Sequence, residues 1–412
     1  MKFILTTLSI AFITLLVACD SGTNAPINKT MDFKQIPVTY PATRKDMAVT
    51  DNYHGTQISD PYRWLEDDQS TETKEWVTRQ NIVTNGYLSQ IPFRDKVKAR
   101  LEQIFDYEKY APPFKEGGKY YFFKNDGLQN QSVLYVQDNL NSQAQMVLDP
   151  NKFSTDGTTS LGELDFSKDG RYLAYSTSVG GSDWRSIVVK DLKTGEMLSD
   201  EIKWVKFSGI AWQGDGFYYT KFPEPKKGDE LKAANKFGAV YFHQLGGQQS
   251  ADKLVYSDKA FPDRSFGGAT TDDERFLAIS GWESTSGNAL YVKDLANANA
   301  PFVPIVKTYE KDFALVDNIG DKLLILTNLD APNQRLMLVN PAKPETTNWE
   351  IIIPEDPADV LQSAVICGEK IVCSYLHNAS SSLRVFDLNG KPIQEVKLPE
   401  IGTVGGVTGK PG

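Results

Sequence analysis

The chain is poor in the residues that usually do chemistry. Its 412 residues include three histidines and three cysteines. No G-x-S-x-G nucleophile elbow occurs, and no P-loop or dinucleotide fingerprint. The nearest approach, Gly180-Gly181-Ser182-Asp183, lacks the final glycine. No Cys/His spacing fits a zinc site, so neither a metal nor a cofactor is expected. Positive charge is also scarce. The formal net charge is −9, and Lys2 is the only charged residue among the first 18. No Lys/Arg stripe offsets this, which excludes a nucleic-acid or anionic-lipid surface as the main partner.

Two of the cysteines, Cys367 and Cys373, flank a turn at Gly368-Glu369. A tight turn there pairs Cys367 with Lys370 and Cys373 with Ala364. The two thiols are then not cross-strand partners, and no disulfide is expected. They read as small apolar residues. His243 and His377 fall in or beside strand-like runs and read as structural. His54 sits in the turn Asn52-Tyr53-His54-Gly55.

What the chain has in abundance is short alternating runs. Six end alike: 131–138, 185–192, 238–245, 288–295, 334–341 and 381–388. A turn and another apolar run precede each, as in Gly117-Gly118-Lys119-Tyr120-Tyr121-Phe122-Phe123. Strand repeats of roughly 45 to 60 residues mean a β-propeller, one four-stranded sheet per repeat. The fold expected is mainly all-β: six full blades, and in 402–412 the first strand of another. An unclosed ring would leave two sheet faces uncovered.

The first 112 residues differ. Lys2 followed by the apolar run 3–16 reads as an export signal, too short to remain as a span. Leu16-Val17-Ala18-Cys19 resembles a bacterial lipobox. It implies cleavage after residue 18, a diacylglycerol on Cys19 and a cell-envelope protein facing the periplasm. An ordinary secretory signal with an incidental cysteine is the alternative. Residues 19–36 read as a flexible tether. Residues 37–112 form a separate helical segment. Its first helix is N-capped within Asp68-Gln69-Ser70-Thr71 and carries Trp76, Val77, Val83 and Tyr87 at helical spacing. A second, over 93–106, carries Val97, Leu101, Ile104 and Phe105. Ala111-Pro112-Pro113 breaks it, and 113–412 is the propeller. The carboxylates Asp60, Glu66, Asp67 and Asp68 suit the start of a helix, where unpaired N–H groups attract them.

Several blocks go beyond periodicity. They are Tyr40-Pro41, Arg44, His54-Gly55, the run Asp60-Pro61-Tyr62-Arg63-Trp64-Leu65-Glu66-Asp67, and Gln80-Asn81. Others are Leu148-Asp149-Pro150, Gly181-Ser182-Asp183-Trp184, Val205 to Trp212, and Asp330 to Leu336. Together they resemble the prolyl oligopeptidases, serine peptidases that cut short peptides after proline. The likeness runs from about residue 38 to the end of the sequence.

The resemblance implies a propeller of the seven-bladed prolyl oligopeptidase type, covering the triad of an α/β-hydrolase domain on which segment 37–112 would pack. Such a cover admits short proline-containing peptides and excludes folded proteins. No catalytic residue of that triad is expected within these 412 residues, so the chain alone is expected to be inactive. The resemblance also implies that Asp149, Leu173 and Val255 contribute to the substrate cavity; propeller packing is the competing reading for all three. The alternative to a peptidase half is a non-enzymatic, membrane-anchored propeller that binds peptides or a protein partner.

Overall fold

The computed structural model describes residues 35–411. The export segment 1–18, Cys19 and the tether up to residue 34 lie outside them. The described chain begins with a β-hairpin, Thr50–Tyr53 and Thr56–Ser59, turned at His54-Gly55 with both residues at positive φ. Two helices follow, α1 (Thr71–Leu88) and α2 (Arg94–Phe105). Ser70 caps α1 by accepting a hydrogen bond from the Thr73 N–H.

Five antiparallel sheets then follow in sequence order, and the one with eight strands divides at a single register pair, Val205 with Lys221, into two four-stranded units, so that six blade-like units can be described. Blade 1 pairs Phe114–Glu116, Lys119–Asn125, Val133–Gln137 and Gln145–Leu148; Lys109–Tyr110 extends its first edge. Blade 2 runs from Thr159–Phe166 through Tyr172–Val179 and Arg185–Asp191 to Met197–Val205. Blade 3 contains Ala211–Gln213, Gly216–Lys221, Ala239–Gln244 and Lys253–Tyr256. Blade 4 spans Ser265–Thr270 to Val303–Val306, blade 5 Phe313–Ile319 to Glu350–Ile353, and blade 6 Val360–Cys367 to Pro392–Val396.

Side-chain alternation builds the core. On one face of blade 5, Leu323 and Ile325 pack with Phe276 and Leu290 of blade 4. On its other face, Leu324 and Leu326 pack with Ile371 and Tyr375 of blade 6. Because each sheet is apolar on both faces, it is stable only between neighbours. Five such buried clusters join blades 1 to 2, 2 to 3, 3 to 4, 4 to 5 and 5 to 6. Among the described residues no cluster joins blade 6 to blade 1.

One close approach depends on glycine. The turns of blades 1 and 2 meet at Gly117 and Gly170, both at positive φ. A Cβ on Gly117 would lie 2.6 Å from the Gly170 Cα.

The cysteine reading holds in register and in part in burial. Cys367 opposes Lys370 and Cys373 opposes Ala364, and both thiols are free. Cys373 is buried, but Cys367 is exposed. The expected strand at 402–412 does not form. Residues 397–411 make no ladder, and Gly402, Gly405, Gly406 and Gly409 give this segment little side-chain surface to pack. It follows blade 6 through isolated hydrogen bonds: Ser381 N–H to Gly402 O and Gly368 N–H to Lys410 O, both 2.8 Å.

Candidate functional site

The block 60–67 folds into a polar knot rather than a reaction centre. Arg63 spans from Asp60 (2.6 Å) to Asp51 of the hairpin. The Trp64 indole donates to Arg44 O at 3.1 Å, while Arg44 pairs with Glu72 of α1 at 2.7 Å. Thr73 in turn donates to Trp64 O. These bonds tie hairpin and α1 together. The apolar side of the helices is left open. α2 has no buried residue, and Val97, Leu101, Ile104 and Phe105 are all exposed.

The helical segment joins the propeller on one particular face. Lys109 opposes Asn125 and donates to Gly127 O at 2.6 Å, so the chain enters beside the loop that ends blade 1's second strand. Asn151 donates to Gln131 O at 2.8 Å, placing the connection from blade 1 to blade 2 on that same face.

Asp149 lies in this connection. Its carboxylate caps the turn Pro150–Lys152, accepting from the Asn151 N–H at 3.1 Å, with Lys152 at 3.5 Å. Leu173 is elsewhere. It is 0% exposed, inside the cluster between blades 1 and 2 with Leu134, Leu148 and Phe166. Val255 packs against a different cluster, between blades 3 and 4, beside Phe266 and Leu277. Leu173 and Val255 therefore do not share a cavity. Leu173 is fully buried in its seam, whereas Val255 is only partly buried against its own.

A cavity of about 790 Å³ opens on the opposite face, at the turns joining first and second strands. Glu116 of blade 1, Asp165 of blade 2, Asp272 of blade 4 and Lys410 line it. The Lys410 ammonium lies 3.0 Å from Asp272 and 3.4 Å from Glu116, crossing between blades that are not neighbours. Burial pushes the Glu116 carboxyl up, against the pull of Lys410. Asp165 is pushed up further, to about 7: burial dominates, the Phe166 N–H opposes it and Glu116 adds to it. Neither sequence periodicity nor motif singled out this group. Its only signal was an acidic residue one position before the apolar end of a strand.

The sign of the resulting pH effect follows from linkage. The unfolded carboxyl ionises near about pH 4, whereas the folded one holds its proton to about 7. Asp165 thus contributes fully below that unfolded value and progressively less as pH rises through its folded one. Asp165→Asn is expected to gain stability relative to wild type from about pH 4 to about pH 7, then to hold that margin. Thermal melts across that window check it; a margin constant with pH would contradict it.

None of the histidines forms a nucleophile–base pair. His54 turns the hairpin. His243 is held between Asp200 and Asp252. His377 binds Asp359 through Nδ1, but its Nε2 accepts from the Asn378 amide at 3.0 Å. Among the described residues no cluster of three or more acidic, histidine or cysteine side chains could hold a metal.

Comparison with known proteins matches residues 41–412 to the family described as prolyl oligopeptidase, N-terminal beta-propeller domain. The chain is 44% identical over 372 residues to a prolyl endopeptidase of Elizabethkingia miricola, covering 90% of this chain and 52% of that protein. It is 43% identical to a prolyl endopeptidase of Elizabethkingia meningoseptica, with the same coverage of each. Among solved structures, prolyl oligopeptidase B from Galerina marginata, bound to a 25mer macrocyclization substrate, superposes with a TM-score of 0.77 at 28% identity. That match covers 89% of this chain and 55% of the other. The chain thus spans about half the length of the curated relatives it matches.

Proposed function

The chain belongs to the prolyl oligopeptidase family, and from that premise we propose that it is the substrate-screening half of a serine peptidase cutting short peptides after proline. The observation that carries this reading is the uncovered apolar side of α2, on a segment that enters the propeller at one face. Such a surface suits a companion domain seated against helices and propeller together. In this reading that domain is an α/β-hydrolase. Its serine attacks the carbonyl after proline, a histidine takes the serine's proton, and an aspartate orients the histidine. The propeller excludes folded proteins and bulk water from the reaction. Asp149 keeps surface on the face concerned and is the candidate for contact with peptide. No observation favours the non-enzymatic binding module.

The expected result is twofold. A protein of the relatives' full length carrying these residues hydrolyses a Gly-Pro-amide reporter with a burst sensitive to a serine reagent. The 412-residue chain alone does not. Turnover by the purified 412-residue chain would defeat the proposal. Residues 1–18 act here as an export signal and Cys19 as the lipid-bearing residue, placing the protein in a bacterial envelope. Mass spectrometry of the N-terminal peptide from membranes, with Cys19→Ser as control, tests that part.

A further inference from the structure

Blades 2 and 3 share very little ladder. Their sheets touch at one register pair, Val205 with Lys221, helped by Phe222 N–H donating to Trp204 O at 3.1 Å. Beside this seam lies a charged group that neither fold nor peptidase function requires. Asp200 belongs to the outer strand of blade 2. His243 lies on the third strand of blade 3, and Asp252 just before that blade's fourth.

His243 Nε2 is 2.9 Å from Asp200, and its Nδ1 is 2.7 Å from Asp252. The imidazole is wholly buried, and both carboxylates nearly so. The remaining neighbours are donors or neutral rings. Gly246 N–H donates to Asp200 at 2.6 Å, and the Tyr219 hydroxyl to Asp252 at 2.6 Å. Gln249 lies 3.5 Å from that hydroxyl, and the Phe217 ring packs against the imidazole. Among the described residues no lysine or arginine pairs with either carboxylate.

A neutral imidazole has one N–H, so it would turn a lone pair on one of these two carboxylates. Only the imidazolium donates to both. It is also the one cation balancing two buried anions, and each carboxylate reaches it from a different blade. We propose that Asp200–His243–Asp252 is a protonation-controlled joint that locks blade 2 to blade 3 and releases them in alkaline solution.

The direction follows from the environment. Burial pulls the His243 pKa down, but the hydrogen bonds to Asp252 and Asp200 outweigh it and leave it raised. A histidine raised in the folded state contributes fully below its unfolded value, about 6.5. That contribution is lost as pH climbs through the folded value. The joint is therefore tighter below the folded value of His243 than above it.

With three histidines in the chain, ring-nitrogen NMR resolves each one. In the 412-residue protein, His243 is expected to carry both ring protons at about pH 7.5, where an unperturbed histidine is mostly neutral. Hydrogen exchange, normalised for its intrinsic pH dependence, reads the joint itself. Between about pH 7 and pH 10, exchange in Met197–Val205 and Gly216–Lys221 should rise roughly tenfold more than in Lys322–Thr327 of blade 5. His243→Gln should make the same amides exchange fast already at neutrality and remove the pH dependence. A neutral His243 at pH 7.5, or joint amides that simply track blade 5, would overturn the proposal. If the variant does not fold, the wild-type series decides alone.

Discussion

Leu173→Ala is expected to destabilise the 412-residue chain by about 2–5 kcal/mol, read as a lowered denaturation midpoint with the denaturant slope unchanged. The leucine has no exposed surface, and it fills the seam between blades 1 and 2 with Leu134, Leu148 and Phe166. Removing it leaves a cavity lined by side chains fixed in two separate sheets, which relax poorly towards one another. A cavity-lining role would give the opposite pattern: stability within about 0.5 kcal/mol of wild type and an altered affinity for peptides. The measurement therefore separates the role implied by family resemblance from the one implied by the fold.

That contrast shows what the sequence could convey. Period-two runs located the middle strands of all six blades, because each strand is apolar towards both neighbours and ends at a turn. The helix starting after Ser70 was equally legible, since a capping serine and apolar residues at helical spacing leave little choice. Periodicity did not say which neighbour each face meets. Leu173 and Tyr175 pack towards blade 1, while Ala174 packs towards blade 3. A residue carried over from a resemblance by its block alone can thus land in a core instead of a cavity. Long-range polar groups were invisible for a related reason. Lys410 reaches Glu116 and Asp272 only because the blades curve around an axis, and no local pattern encodes that curvature. The glycine-rich end misled more directly. It alternates enough to resemble a strand but has little side-chain surface to hold one in a ladder.

The helical segment carries the other large effect, which rests on the proposed companion domain. A 12-residue helix is marginal in water unless an apolar side is buried, and α2 buries none of its residues. Charging that side should cost the isolated chain almost nothing. Leu101→Asp with Ile104→Asp is expected to leave the melt of the 412-residue protein within about 0.5 kcal/mol of wild type, because both side chains are already about half exposed, at 49% and 47%, and neither belongs to a buried cluster. In a protein of the relatives' full length, each carboxylate would have to be desolvated against an apolar surface, at roughly 2 kcal/mol or more apiece. Together these lower the fraction of molecules with the domains docked by about a thousandfold. The kcat/KM for a proline-containing reporter should fall correspondingly, while the propeller melt stays in place. Unchanged kcat/KM would mean that α2 faces solvent in the working enzyme, and that the surface seating the catalytic domain lies elsewhere.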